Sequence, residues 1–93
     1  MESHVEEPAP AGWDWGRDVR PGMLFTIDGS WVRVRGRRGA VGRQRPDLPD
    51  ADDLLQLCRA VGAGRVVRLV VSDPATAGCL HDRRHRQRAV SVG

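Results

Sequence analysis

The sequence predicts an α+β fold, a small antiparallel or mixed sheet of three to four strands covered on one face by a helix. Three segments carry this expectation: a hairpin pattern over residues 23–35, apolar residues at helical spacing over 50–61, and a β-branched run over 65–72. The 93 residues leave room for one core, so a single domain over 13–93 is expected, with 82–93 able to form a loose basic tail.

The lead, residues 1–12, is rich in Glu, Pro, Ala and Gly and is expected to be flexible, because it offers too little apolar surface to order itself. Trp13 and Trp15 follow at once. Two indoles are costly to leave in water, so they are expected to dock on this domain's sheet or on a partner.

The hairpin is the sharpest local signal. An Asp28-Gly29 pair between strand-like runs favours a two-residue primed turn, because both positions need positive φ and Gly29 takes it freely. That turn sets Ile27 opposite Ser30, Thr26 opposite Trp31, Phe25 opposite Val32, Leu24 opposite Arg33 and Met23 opposite Val34. Met23, Phe25, Ile27, Val32 and Val34 then share a core face. Leu24, Thr26, Trp31, Arg33 and Arg35 share the other.

Residues 36–46 carry Gly36, Gly39 and Gly42 among arginines and predict a loop with a short strand near Val41. A helix is predicted over 50–61. Pro49 and Asp50 mark its start, Asp52 and Asp53 suit its first turn, and Leu54, Leu57, Cys58 and Val61 form its expected inner stripe, with Gly62 and Gly64 ending it. The run 65–72 suits an interior strand. Ser72-Asp73-Pro74 signals a second helix at 74–86, which Gly78 weakens, and the last five residues suit an edge strand or a frayed end.

Composition narrows the function without fixing it. All the positive charge is arginine, fifteen residues with no lysine, and the net charge is +3. Arginine suits bidentate binding of phosphate or carboxylate, although a GC-rich coding sequence gives the same bias. Charge comes in blocks: six arginines and no acid over 33–46, then four aspartates over 47–57. Such blocks either neutralise each other in the fold or face outward, and sequence leaves that open. Two cysteines make no disulfide framework, and no leader or long apolar run is visible, so a cytoplasmic protein is expected.

The candidate working surface is an indole beside guanidinium groups: Trp31 with Arg33 and Arg35, leading into Arg37, Arg38, Arg43 and Arg45. An aromatic face stacks a base for about 1–3 kcal/mol while arginines meet phosphate. The plain alternative is that Trp13 or Trp15 covers Trp31 and the arginines pair with the aspartate block. Arg83, Arg84, Arg86 and Arg88 form a second basic cluster. Cys79, His81 and His85, with Cys58, contain the atoms for tetrahedral zinc but not a standard spacing, and Cys58 sits among apolar positions where a free thiol is common. Catalytic motifs are lacking: there is no Tyr or Lys, no phosphate loop and no nucleophile elbow.

Residues 32–42, VRVRGRRGAVG, resemble the strand-loop-strand unit of KOW-type SH3-like barrels, whose loops meet RNA or protein. The glycine spacing differs and a helix at 50–61 is foreign to that barrel, so the resemblance assigns no family. The expectation is a non-catalytic protein engaging nucleic acid through Arg and Trp, with no cofactor, membrane or small-molecule substrate. The alternative is an adaptor or homodimer meeting an acidic partner through Trp13, Trp15 and the arginines. A zinc-stabilised or cysteine-dependent enzyme is a third class.

Overall fold

The computed structural model describes residues 4–38 and 44–91, with side chains described over 4–37 and 48–84. Strands β1 (Glu6–Pro8), β2 (Leu24–Ile27), β3 (Ser30–Arg33) and β6 (Val67–Val70) form a four-stranded sheet in the order β1-β6-β2-β3, every neighbour antiparallel. Strands β4 (Gly36–Arg38) and β5 (Gln44–Pro49) form a separate two-stranded ribbon, and helices α1 (Ala51–Gly62) and α2 (Pro74–Ser91) complete the α+β fold.

The hairpin has the register its turn dictates. Asp28 (φ 51°) and Gly29 (φ 87°) occupy the left-handed region, and Leu24, Phe25, Thr26 and Ile27 face Arg33, Val32, Trp31 and Ser30. Asp28 is held there by more than its backbone: its carboxylate accepts from Arg65 Nε at 2.8 Å and from the Val66 N–H at 3.1 Å, pinning the turn to the start of β6.

One sheet face is the core. Met23, Phe25, Ile27, Val34 and Leu69 are buried with Val19 and with Leu57 and Ala60 of α1. Each large apolar side chain sealed this way contributes roughly 1.5–3 kcal/mol. Trp13 and Trp15 dock on this same core. They meet edge to face at 5.9 Å, and Trp15 lies 5.6 Å from Phe25, so both half-buried indoles pack against the domain's own core.

Helix α1 starts as predicted, with Asp50 as N-cap accepting from the Asp52 N–H. It closes in a Schellman arrangement. The N–H of Gly64 (φ 76°) meets Val61 O, and the N–H of Arg65 meets Ala60 O. Its inner stripe keeps Leu57 and the half-buried Leu54 of the predicted one and departs from it at the other two positions. Asp53, Leu57 and Ala60 are buried, whereas Cys58 is exposed and Val61 is 39% exposed. The physical reason is Arg35, which binds Asp53 and rolls the acid inward, and Ala60, whose small side chain lets the helix approach on that side.

Four further elements differ from expectation. Residues 6–8 of the lead form edge strand β1, because interior strand β6 has peptide groups to satisfy on both sides. The Val71 N–H continues that ladder to Val5 O. Composition governs side-chain burial, and here backbone pairing prevails. The arginine-glycine segment expected as a loop contributes β4 and pairs with β5, with a bulge between Gly36 and Arg37, while Val41 lies outside the described residues. The interior strand is shorter than 65–72, since Arg65 and Val66 serve the helix cap and the turn. Helix α2 continues to Ser91 where a loose tail or edge strand was expected.

Candidate nucleic-acid interface

The hairpin register puts Trp31 on the face opposite the core, in a row with Thr26, Arg68 and Pro8 across the sheet. Its indole is 55% exposed. Neither Trp13 nor Trp15 covers it. The neighbour is His4, whose ring meets the indole edge to face at 4.9 Å and whose Nε2 lies 2.8 Å from Glu6 Oε2. Thr26 Oγ1 donates to the other Glu6 oxygen. That hydrogen bond first, and His4 second, hold the Glu6 carboxyl below its ordinary value.

The rest of the predicted outer face is less open than the alternation implies. Leu24 and Thr26 are buried, because Thr76 of α2 accepts from the Leu24 N–H at 2.8 Å and Glu6 lies over Thr26. What remains accessible is Trp31 with Arg33 and Arg35, and the exposed Arg68 of β6. Arg68 was legible in the sequence, since alternation along β6 places it with Trp31. Nothing in the lead announced His4 or Glu6.

The aspartates pair internally with two of the site arginines. Arg35 Nε and Nη2 meet Asp53 at 3.1 and 3.3 Å, its N–H donates to the same carboxylate at 2.9 Å, and Asp50 lies 4.0 Å away. Burial pushes the Asp53 carboxyl up, but the Arg35 side chain and N–H outweigh it and hold it below the ordinary value. Asp53 in turn raises the Arg35 guanidinium. Arg33 donates to Gly22 O at 2.9 Å and to Asp73 at 3.1 Å, which lowers the Asp73 carboxyl. Arg83 is committed to the fold as well: it donates to Ala11 O, sits 3.7 Å from Asp18 and lies over the Trp13 ring at 5.8 Å.

The other site arginines sit differently. Arg37 and Arg84 are exposed. Arg38 and Arg45 have described backbone on the ribbon, where Arg37 is the cross-strand partner of Arg45 and Arg38 that of Gln44. Arg86 and Arg88 lie on α2, but their side chains, like those of Arg38, Arg45 and His85, are outside the described residues, and Arg43 is outside altogether. Beside the ribbon, a recess of about 690 Å³ is lined by Arg35, Gly36, Arg37, Asp50, Ala51 and Asp52. It faces the α1 N-terminus, yet the acids of that first turn already neutralise the helix dipole there.

Cys58 on α1 and Cys79 on α2 form no disulfide, and among the described residues no group of three His, Cys, Asp or Glu is arranged to hold a metal ion. No described helix is long and apolar enough to cross a membrane. Comparison of the chain with known protein families, with curated proteins and with solved structures finds no match.

Proposed function

We propose that this chain is a non-catalytic binding protein that engages nucleic acid through the β4–β5 ribbon, with Trp31 on the adjoining strand as the stacking group. The observation that carries this reading is the ribbon register. It sets Arg37 directly across from Arg45, within a stretch that holds six arginines and no acid over 33–46. Like charges at cross-strand positions destabilise a ribbon unless counter-charge is supplied. Arg37 has no ion-pair partner among the described residues, whereas Arg33 and Arg35, one turn of chain earlier, each have an aspartate. A phosphate backbone supplies the missing charge in the right form, because guanidinium groups bind phosphate bidentately.

In this reading the site arginines divide into two roles. Arg33, Arg35 and Arg83 hold the platform through Asp73, Asp53 and Asp18, and Arg37, Arg38, Arg43 and Arg45 supply the phosphate contacts, with Arg84, Arg86 and Arg88 as a second basic strip. In an adaptor role, the alternative reading, Trp13 and Trp15 would meet the partner with only the half of each indole that does not pack against this chain's own core. Two cysteines outside any disulfide suit a reducing compartment such as the cytoplasm.

The test is fluorescence anisotropy of a labelled single-stranded oligonucleotide across a salt series. Replacing Arg37 and Arg45 by Ala together lowers the salt slope by about 1.4, the value for two lost phosphate contacts on a single strand. Trp31→Phe preserves the slope and weakens binding by less than the loss of a full stack. Absence of binding at low salt, or an unchanged slope in the double variant, refutes the reading.

A further inference from the structure

We propose that the outward face of α1 is a self-association surface, on which the α1 helices of two copies pack antiparallel about a twofold axis midway along the helix. The face is defined by what the core leaves over. Asp53, Leu57 and Ala60 are buried on the inner side, and at about 100° per residue the opposite side carries Ala51, Leu55, Cys58 and Gly62. All four are exposed, Leu55 by 48%. They recur at spacings of four, three and four, the pattern of a helix–helix seam, on a side where a solvated helix ordinarily carries charge. Ala51 and Gly62 at the two ends of this seam let a second backbone come close, and the space around Gly62 is open.

The two flanks of the seam point to its occupant. One flank is apolar, with the half-buried Leu54 and with Val61 39% exposed. The other carries Asp52 and Arg59, both exposed. These are the charges of α1 that the fold leaves unused. Asp53 binds Arg35 and the capping Asp50 lies beside the same guanidinium, whereas Asp52 and Arg59 have no ion-pair partner among the described residues. Opposite in sign, they stand two turns apart, about 10 Å along the axis, and do not pair with each other. A recess of about 500 Å³ runs along this flank between Leu55, Arg59 and Ala63 and leaves room for a guanidinium.

A second copy of the same helix supplies the complement, in one orientation and one register. In a parallel pair the polar flank of each helix meets the apolar flank of the other, which sets Asp52 and Arg59 against Leu54 and Val61. In an antiparallel pair like flanks meet. Setting Leu55 against the partner's Cys58 then sets Ala51 against the partner's Gly62, Leu54 against the partner's Val61, and Asp52 against the partner's Arg59. The twofold axis repeats every contact, and the helix dipoles run opposed. Sliding by seven residues, the next register that keeps the seam, leaves only about one turn of each helix in contact. A contact of three turns with small residues at its ends lies at the low end of interface size, so the dimer is weak and forms at submillimolar concentration. Since α1 covers the core face of the sheet, the pairing leaves Trp31, on the other face, open in both copies.

Sedimentation velocity of the full chain without nucleic acid, over a micromolar to submillimolar series, tests the pairing apart from the function proposed above. The expected result is a concentration-dependent monomer–dimer equilibrium. Asp52→Arg sets arginine against the partner's Arg59, and Arg59→Asp sets aspartate against the partner's Asp52. Each alone is expected to weaken the dimer about tenfold, since two contacts turn from attraction to repulsion. Mixed in equal amounts, the two variants restore opposite charges at both contacts, and the mixture is expected to associate as the unaltered chain does. Leu55→Gln keeps the helix preference but removes the one large side chain of the seam, and is expected to leave a monomer with unchanged near-ultraviolet circular dichroism. An unaltered chain that stays monomeric throughout the series overturns the proposal, as does a dimer that neither charge reversal weakens, or a mixture that associates no better than its two components.

Discussion

At Arg35, one residue joins three parts of the structure. Its N–H and guanidinium both bind Asp53 and its carbonyl caps the approach to α1, so the end of the hairpin and the start of the helix are fixed by a single side chain and peptide. Asp53→Ala leaves the Arg35 N–H without its acceptor and is expected to cost about 1–3 kcal/mol, measured as a fall in the urea midpoint with an unchanged slope. Asp53→Asn retains an acceptor and costs less. Gly29→Ala tests a different residue-level constraint. No atom lies within 4 Å of the added methyl, so any loss of stability reflects the positive φ alone, an expected 1–2 kcal/mol or so. The Trp13 Nε1 is buried with no hydrogen-bond partner among the described residues, a local cost set against the apolar area of that indole.

At the element scale, β6 is the organising strand, since it pairs on one side with the hairpin and on the other with the lead. Deleting residues 1–8 strips β6 of its outer partner and removes His4 and Glu6 from beside Trp31. The truncated chain is expected to unfold at lower urea and to aggregate on concentration, read by light scattering, because a β-branched edge without proline and with Arg68 as its one charge is exposed. The hairpin and α1 were legible because their signals are local: Asp28-Gly29 needs only its own backbone preference, and Asp50 with Gly64 brackets a helix from both ends. The inner stripe of α1 was legible only in part: Leu54 and Leu57 pack inward, Cys58 and Val61 do not. Leu54, Leu57, Cys58 and Val61 satisfy helical spacing as well as Asp53, Leu57 and Ala60 do, and only the distant Arg35 selects between the two faces.

For the whole molecule, ion pairs join segments distant in the chain: Arg33 to Asp73 before α2, Arg35 to Asp53 of α1, Arg65 before β6 to Asp28 of the hairpin turn, and Arg83 of α2 to Asp18. Asp28, Asp53, Asp73 and Glu6 all have carboxyls below their ordinary values of 3.8 and 4.5. In the acid range the unfolded chain therefore binds protons that the folded one does not. The stabilisation from these groups is complete above the ordinary carboxylate values and is lost as pH falls through the lowered ones. Urea midpoints are expected to hold level from neutral pH to about 5 and to fall below 4, with Asp53→Asn showing the shallower decline. A core residue sets the scale for comparison: Leu57→Ala, at a fully buried position, is expected to cost about 2–5 kcal/mol, a large share of the stability of so small a domain.

What the sequence determined by itself was whatever depends on near neighbours: the fold class, the turn and its register, both helix starts, and hence the outward direction of Trp31. The tertiary structure alone decided which charges cancel and which peptide groups stay open. Arg33 and Arg35 look the same as Arg37 in the chain. They differ because Asp73 and Asp53 arrive from elements 40 and 18 residues away, and no local preference encodes an encounter over that separation. The same holds for β1, whose acidic, proline-bearing residues predict no order until an interior strand two-thirds of the chain away offers its unpaired backbone.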